Sequence, residues 1–198
     1  MHSRIYDLTR WSFLFGREML LRQVARLQSP RQILEVGCGT GRNIESMCRL
    51  FPQAEITGID LSVEMLAVAR RRLGHKSDRV TLINDGYDRP VHSHGKPFDL
   101  VVCSYALSMF NPGWERAIEC AKKDLADDGL FALVDFHRTP VPSFRRWMSI
   151  NHVRMEGHLR PLLTNSFKGM IDRTTAAYGG LWQYLMFVGQ NAPDASRM

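Results

Sequence analysis

Seven consecutive residues, Glu35-Val36-Gly37-Cys38-Gly39-Thr40-Gly41, carry the densest chemical signal in this chain. Three alternating glycines let a backbone turn sharply and let a ligand touch it without meeting a Cβ. The apolar run Ile33, Leu34 and Val36 suits a parallel strand buried on both faces. A helix is expected from about Arg42 to Phe51, stopped by Pro52. The amides of its first turn would face a ligand and favour negative or electron-rich groups. A second strand, Glu55 to Ile59, ends in Asp60, 19 residues after the last glycine. A carboxylate there can accept from both hydroxyls of a ribose. The dinucleotide fingerprint wants glycine where Arg42 stands, and no GK[ST] sequence is present, which argues against a dinucleotide and a triphosphate.

The surrounding chain has to hold that loop. Its 198 residues, 44% of them apolar, suit one domain spanning 1–198 with a full α/β core. No run of 18 apolar residues suggests a membrane span, and no apolar stretch near residue 1 suggests a secretory signal. Four cysteines lack metal or CxxC spacing and read as reduced thiols of a cytoplasmic protein. The net charge of +6 is uneven. Residues 1–32 carry +4, residues 138–173 carry +5, and the remainder carries −3. Two basic flanks around an acidic centre suggest an anionic substrate or surface, including peripheral contact with the inner face of a membrane.

Residues 4–28 read as a helix interrupted near Gly16, with an aromatic first half suited to a lid. Ser62 suits the N-cap of a helix over 63–73, ended by Gly74. Strands are expected at Val80–Ile83, Phe98–Cys103 and Leu130–Asp135, with a helix from Trp114 to Leu125 and a turn at Asp127-Asp128-Gly129. His92 and His94 alternate, but on a loop without a third ligand they do not make a metal site. Ser104 and Tyr105 follow a strand on the ligand-facing edge, as does His137. Residues 138–173 read as a substrate-side insertion. There Arg145 and Arg146 could hold an anionic group beside an apolar wall containing Trp147. Residues 174–189 read as strands around a Gly179-Gly180 turn. The expected fold is α/β, a three-layer doubly wound sheet of seven mostly parallel strands with an antiparallel last strand.

The pattern Glu35-x-Gly37-x-Gly39-x-Gly41 with Asp60 resembles the class I S-adenosylmethionine (AdoMet) methyltransferases, which are Rossmann-like. The resemblance covers residues 31–137 and the terminal strands. It implies AdoMet as cofactor, no metal, and a cofactor set of Glu35, Gly37, Cys38, Gly39, Gly41, Asp60 and Ser104. It also implies that Leu61 and Met65 flank the adenine and that Asp85, with the Gly86 amide, meets its amino group. The segments Ile5-Tyr6-Asp7-Leu8-Thr9-Arg10, Gly37 to Asn43 and Phe144-Arg145-Arg146-Trp147 together resemble the bacterial betaine-lipid N-methyltransferases. That finer resemblance implies methylation of a lipid headgroup amine.

Methyl transfer to an amine needs alignment and the loss of a proton. Tyr6 and His137 are the candidates for that proton, an arrangement that resembles the phosphoethanolamine N-methyltransferases. Tyr105 could stabilise a methylated ammonium by cation–π contact. Two alternatives stand beside this reading. One is a methyltransferase for a small amphiphile or a quinone-type carbon or oxygen. The other is a non-catalytic protein that binds AdoMet or RNA, with nucleic acid ranked below an amphiphile because the basic segment is rich in large apolar residues.

Overall fold

A computed structural model describes residues 15–92 and 96–191. Tyr6, most of the aromatic stretch before Gly16, and His94 lie outside the described residues. Helix α1 (Arg17–Leu27) presents Leu20, Leu21 and Val24 to the sheet. There follow β1 (Gln32–Val36), α2 (Arg42–Leu50), β2 (Glu55–Asp60), α3 (Val63–Leu73), β3 (Val80–Asn84) and β4 (Phe98–Ser104). The chain continues through α4 (Trp114–Asp124), β5 (Leu125–Arg138), α5 (Pro142–Ile150), α6 (Leu159–Ser166), β6 (Lys168–Ala177) and β7 (Trp182–Gln190).

One seven-stranded sheet runs in the order β3-β2-β1-β4-β5-β7-β6. Strands β1 to β5 pair in parallel, and β7 runs antiparallel to both its neighbours. This is the expected three-layer doubly wound class with its antiparallel last strand. Alternation along the strands feeds two cores. Ile33, Ala132, Val134 and Phe136 pack with α1, α2 and α3 on one face. Leu34, Val36, Phe131 and Leu133 pack with α4 and α6 on the other.

Two boundaries differ from the sequence reading. The expected turn at Asp127-Asp128-Gly129 sits inside β5, where pairing jumps from Phe98↔Leu125 to Leu100↔Leu130. The turn chemistry survives there as a bulge, with Asp128 at φ +66. Segment 138–173 is not wholly an insertion, because Lys168 to Arg173 already pair with β7 as part of edge strand β6. Outward-facing polar residues hid that strand, since nearly all of its side chains are exposed or half-buried. All four cysteines are free and buried. Among the described residues no helix is long and apolar enough to cross a membrane, and no group of three or more side chains could hold a metal ion.

Candidate active site

Strand β1 lies between β2 and β4, where the order of the parallel sheet reverses and its strand ends leave a crevice. A cavity of about 710 Å³ opens there, lined among others by Glu35, Gly39, Asp60, Met65, Asp85 and Tyr105. That volume suits a nucleoside-sized ligand with room for a second small molecule.

The glycine loop is stitched to β2. The amides of Gly37 and Cys38 both donate to the carbonyl of Ile59, at 2.9 and 3.1 Å. Two of the glycines serve different needs. Gly37 sits at φ +69, and a Cβ there would lie 2.6 Å from that of Ala106. Gly39 sits at φ +51, and a Cβ there would meet nothing within 4 Å. Gly37 therefore serves packing of the loop, whereas Gly39 leaves backbone bare beside the cavity.

Asp60 anchors this loop from the next strand. Its Oδ2 accepts from the Gly39 amide at 2.8 Å, and its Oδ1 accepts from the Ser62 amide at 2.9 Å. Each carboxylate oxygen keeps a further lone-pair site for a ligand hydroxyl. Ser62 caps α3 as expected, accepting from the Met65 amide at 3.2 Å.

Glu35 is 2% exposed, and among the described residues its Oε2 has no hydrogen-bond partner. Burial pushes its carboxyl up to about 8, opposed by a hydrogen bond from Asn43 and by the charge of Arg17. Ser104 Oγ is likewise buried without a partner on the same wall. Buried polar atoms are rarely left unpaired unless something else pairs with them. These two atoms, with the bare backbone of Gly39, fit a ligand that carries an amine and hydroxyls, as AdoMet does.

Tyr105 lines the wall in a strained conformation, with φ +54. Its hydroxyl donates to the carbonyl of Phe15 at 2.8 Å, and its ring packs edge-on against Phe136. The Arg17 guanidinium lies 5.7 Å from the ring centroid, so the cation this ring meets is a residue of α1.

Of the sequence-predicted residues, Glu35, Gly37, Cys38, Gly39, Asp60, Leu61, Met65, Asp85, Ser104 and Tyr105 share the cavity wall. Gly41 and Gly86 are not on it. Gly41 instead opens α2, and the Gly86 amide donates to Asp85 Oδ1 at 2.8 Å. Asp85 also pairs with Arg89. His137 is buried on the α4 and α6 face of the sheet, off this wall, with Nδ1 unpartnered among the described residues. Burial, with Arg138 and Arg160, lowers its pKa. Arg145, Arg146 and Trp147 stand exposed on α5, also off the wall. His92 bonds to the buried carboxylate of Asp124 at 2.5 Å, which also accepts from Tyr87 at 2.8 Å.

Sequence reasoning missed Arg17, the run Met109 to Gly113, and Arg116, all of which line the cavity. A hint lay in Gly16, whose break in the predicted helix turns Arg17 towards the site. The loop run has no motif of its own; the sheet places it by extending β4.

Residues 33–129 match the family model described as a methyltransferase domain. This segment carries a methyltransferase domain. Over 107 residues the chain is 36% identical to a malonyl-[acyl-carrier protein] O-methyltransferase of Geobacter sulfurreducens, covering 54% of this chain and 39% of that protein. It is 52% identical over 54 residues to a trans-aconitate 2-methyltransferase of Afipia carboxidovorans, covering 27% of this chain and 21% of that one. These matches thus span well under half of either relative. The fold is similar to that of N-methyltransferase NodS from Bradyrhizobium japonicum with S-adenosyl-L-homocysteine, at TM-score 0.72 and 22% identity, covering 90% of this chain and 86% of that one.

Proposed function

We propose that this protein transfers a methyl group from AdoMet to a small amphiphilic acceptor, and that the acceptor atom is the amine of a lipid headgroup. What carries the first part is the wall where Asp60, the unpartnered Glu35 Oε2 and the bare Gly39 backbone meet. In this reading Asp60 receives the ribose hydroxyls, and Glu35 faces the amine of the methionine portion. Leu61 and Met65 flank the adenine, with Asp85 at its edge. AdoMet, when bound, supplies a methyl group on a positively charged sulfur. The chain's own work is then alignment, because a fixed near-attack geometry replaces a bimolecular encounter. Met109 to Gly113 form the wall left for the acceptor. The amine assignment draws on the betaine-lipid resemblance of Phe144-Arg145-Arg146-Trp147 and the glycine loop.

A second reading, O-methylation of a carboxylate, is favoured by Arg17 and Arg116 on the same wall. Arginine holds carboxylates by a two-pronged donor fork. Relatives named for malonyl-[acyl-carrier protein] and trans-aconitate point the same way.

The test supplies methyl-labelled AdoMet with micelles of an aminoacyl-ether lipid or with soluble dicarboxylic acids. Label that enters the lipid and survives alkali supports the amine. Alkali-labile label on an acid identifies a methyl ester and replaces the amine reading. Failure to bind AdoMet in calorimetry would overturn both.

A further inference from the structure

We infer that α5 seats this protein on an anionic lipid bilayer. Trp147 and Ile150 stand one turn apart on the solvent side of this nine-residue helix, while Phe144, half-buried, packs against the core. Trp147 is 49% exposed and Ile150 71% exposed. The rings of Phe144 and Trp147 lie 5.7 Å apart, centroid to centroid. Met148 points the other way, into the core. The helix is therefore anchored on one side and presents large apolar side chains to solvent on the other.

Arginines predominate around this stripe, and the acid that acts on Arg145, Glu156, is itself paired with Arg154. Arg145 and Arg146 are exposed beside it. From Phe136 to Met155 the sequence holds four arginines and no Asp or Glu. An arginine rim around a tryptophan and an aliphatic side chain is the composition of a helix lying at a headgroup boundary. A stable protein partner would need roughly 800 Å² per side, more than one short stripe offers. A bilayer needs no matching shape, so it is the occupant that this small, cationic, apolar face fits.

The position of the helix matters as much as its composition. After Ile150 the chain is tied to the loop that walls the cavity. The Arg154 amide donates to the Ser108 carbonyl at 2.8 Å, and Asn111 Nδ2 donates to the same oxygen at 2.8 Å. Docking through α5 would thus bring the acceptor side of the cavity next to the lipid surface. The inference deepens the amphiphile reading and rests on it for that consequence alone. Docking itself is measured without AdoMet or acceptor, so the two can fail separately.

The experiment is co-sedimentation of the full chain with vesicles of phosphatidylcholine alone or mixed with phosphatidylglycerol. Binding should require phosphatidylglycerol. The double change Arg145→Ser, Arg146→Ser should weaken it about 30-fold, at roughly 1 kcal/mol for each arginine near an anionic surface. Bromine-labelled acyl chains should quench the fluorescence of the wild-type protein, and Trp147→Phe should abolish most of that quenching. Melting temperatures close to wild type would show that the variants fold. Absence of binding, equal binding to both vesicles, or unchanged quenching in Trp147→Phe would overturn the inference. So would a dimer dissolved by Trp147→Ala, which would assign the stripe to a second copy.

Discussion

Gly39 and Asp60 are joined across two strands by one hydrogen bond, 2.8 Å from the loop amide to the carboxylate. The acid therefore shapes the loop before it meets any ligand. Asp60→Asn should disturb both roles, since an amide nitrogen would face the Gly39 or the Ser62 N–H, donor against donor. Loss of hydrogen bonds to a charged group costs about 1.5–3 kcal/mol, so AdoMet affinity should fall roughly 10- to 150-fold. Calorimetry measures it, and unchanged affinity would remove Asp60 from the ribose site.

The two loop glycines should fail in different assays. Gly37→Ala drives a methyl group into Ala106 at 2.6 Å and should lower the melting temperature. Gly39→Ala meets no atom within 4 Å. Its cost should be about 1–2 kcal/mol of left-handed backbone strain, together with a weaker grip on AdoMet, because the new methyl stands over bare backbone. Thermal melts and AdoMet titration of both variants separate the outcomes.

Glu35 should make stability fall as pH rises from acid to about 8. Its pKa in the folded chain is raised from 4.5 to about 8, so the folded state holds a proton that the unfolded chain releases earlier. The stabilisation is complete below 4.5 and is lost as pH rises through 8. Asn43, Arg17 and Asp60 all act on this carboxyl. Glu35→Gln should flatten the melting temperature over that range relative to wild type. If AdoMet brings its amine to Glu35, binding at neutral pH should also release protons, read as a dependence of binding heat on buffer ionisation enthalpy. Parallel melting profiles for variant and wild type would contradict the assignment.

A histidine pair should set the acid limit. Burial lowers His158 from 6.5 to about 4, with Arg154 acting in the same direction, and His137 is lowered beside it. The unfolded chain takes up protons first, so stability is present above 6.5 and is lost as pH falls towards 4. His158→Phe keeps a ring against Trp114, whose centroid is 4.9 Å from that of the histidine. It should flatten the acid side of the melting profile. His137→Asn should leave methyl transfer within a few-fold of wild type. A loss of 10²-fold, the general acid–base scale, would bring His137 back into the chemistry.

Local rules wrote the Glu35 to Asp60 side of the cavity into the sequence. Glu35, the alternating glycines, Asp60 and Ser62 lie within one strand–loop–helix–strand unit, so short-range spacing was enough to place them. The opposite wall is assembled over long range. Arg17 joins from α1, Arg116 from α4, and Met109 to Gly113 from a loop without a motif. Which of two faces a strand residue takes also misled the reading of β5. His137 ends that strand near the ligand edge, but at the register shift between Phe136 and Arg138 it lies within reach of the charges of Arg160 and Asp172, on the α6 side. Edge strand β6 escaped for a related reason, because its exposed side chains have no apolar period to read.

The placement of β7 between β5 and β6 gives this protein an order of assembly. During synthesis β6 emerges first, yet among the described residues its one strand partner is β7. Until β7 has left the ribosome, the hydrogen-bonding edge of β5 is bare and β6 has nothing to pair with. A nascent chain stalled before Trp182 would therefore carry an open edge of the kind that recruits other strands. Emergence of β7, rather than the glycine loop, is then the step that commits β6 and the open edge of β5 to the sheet.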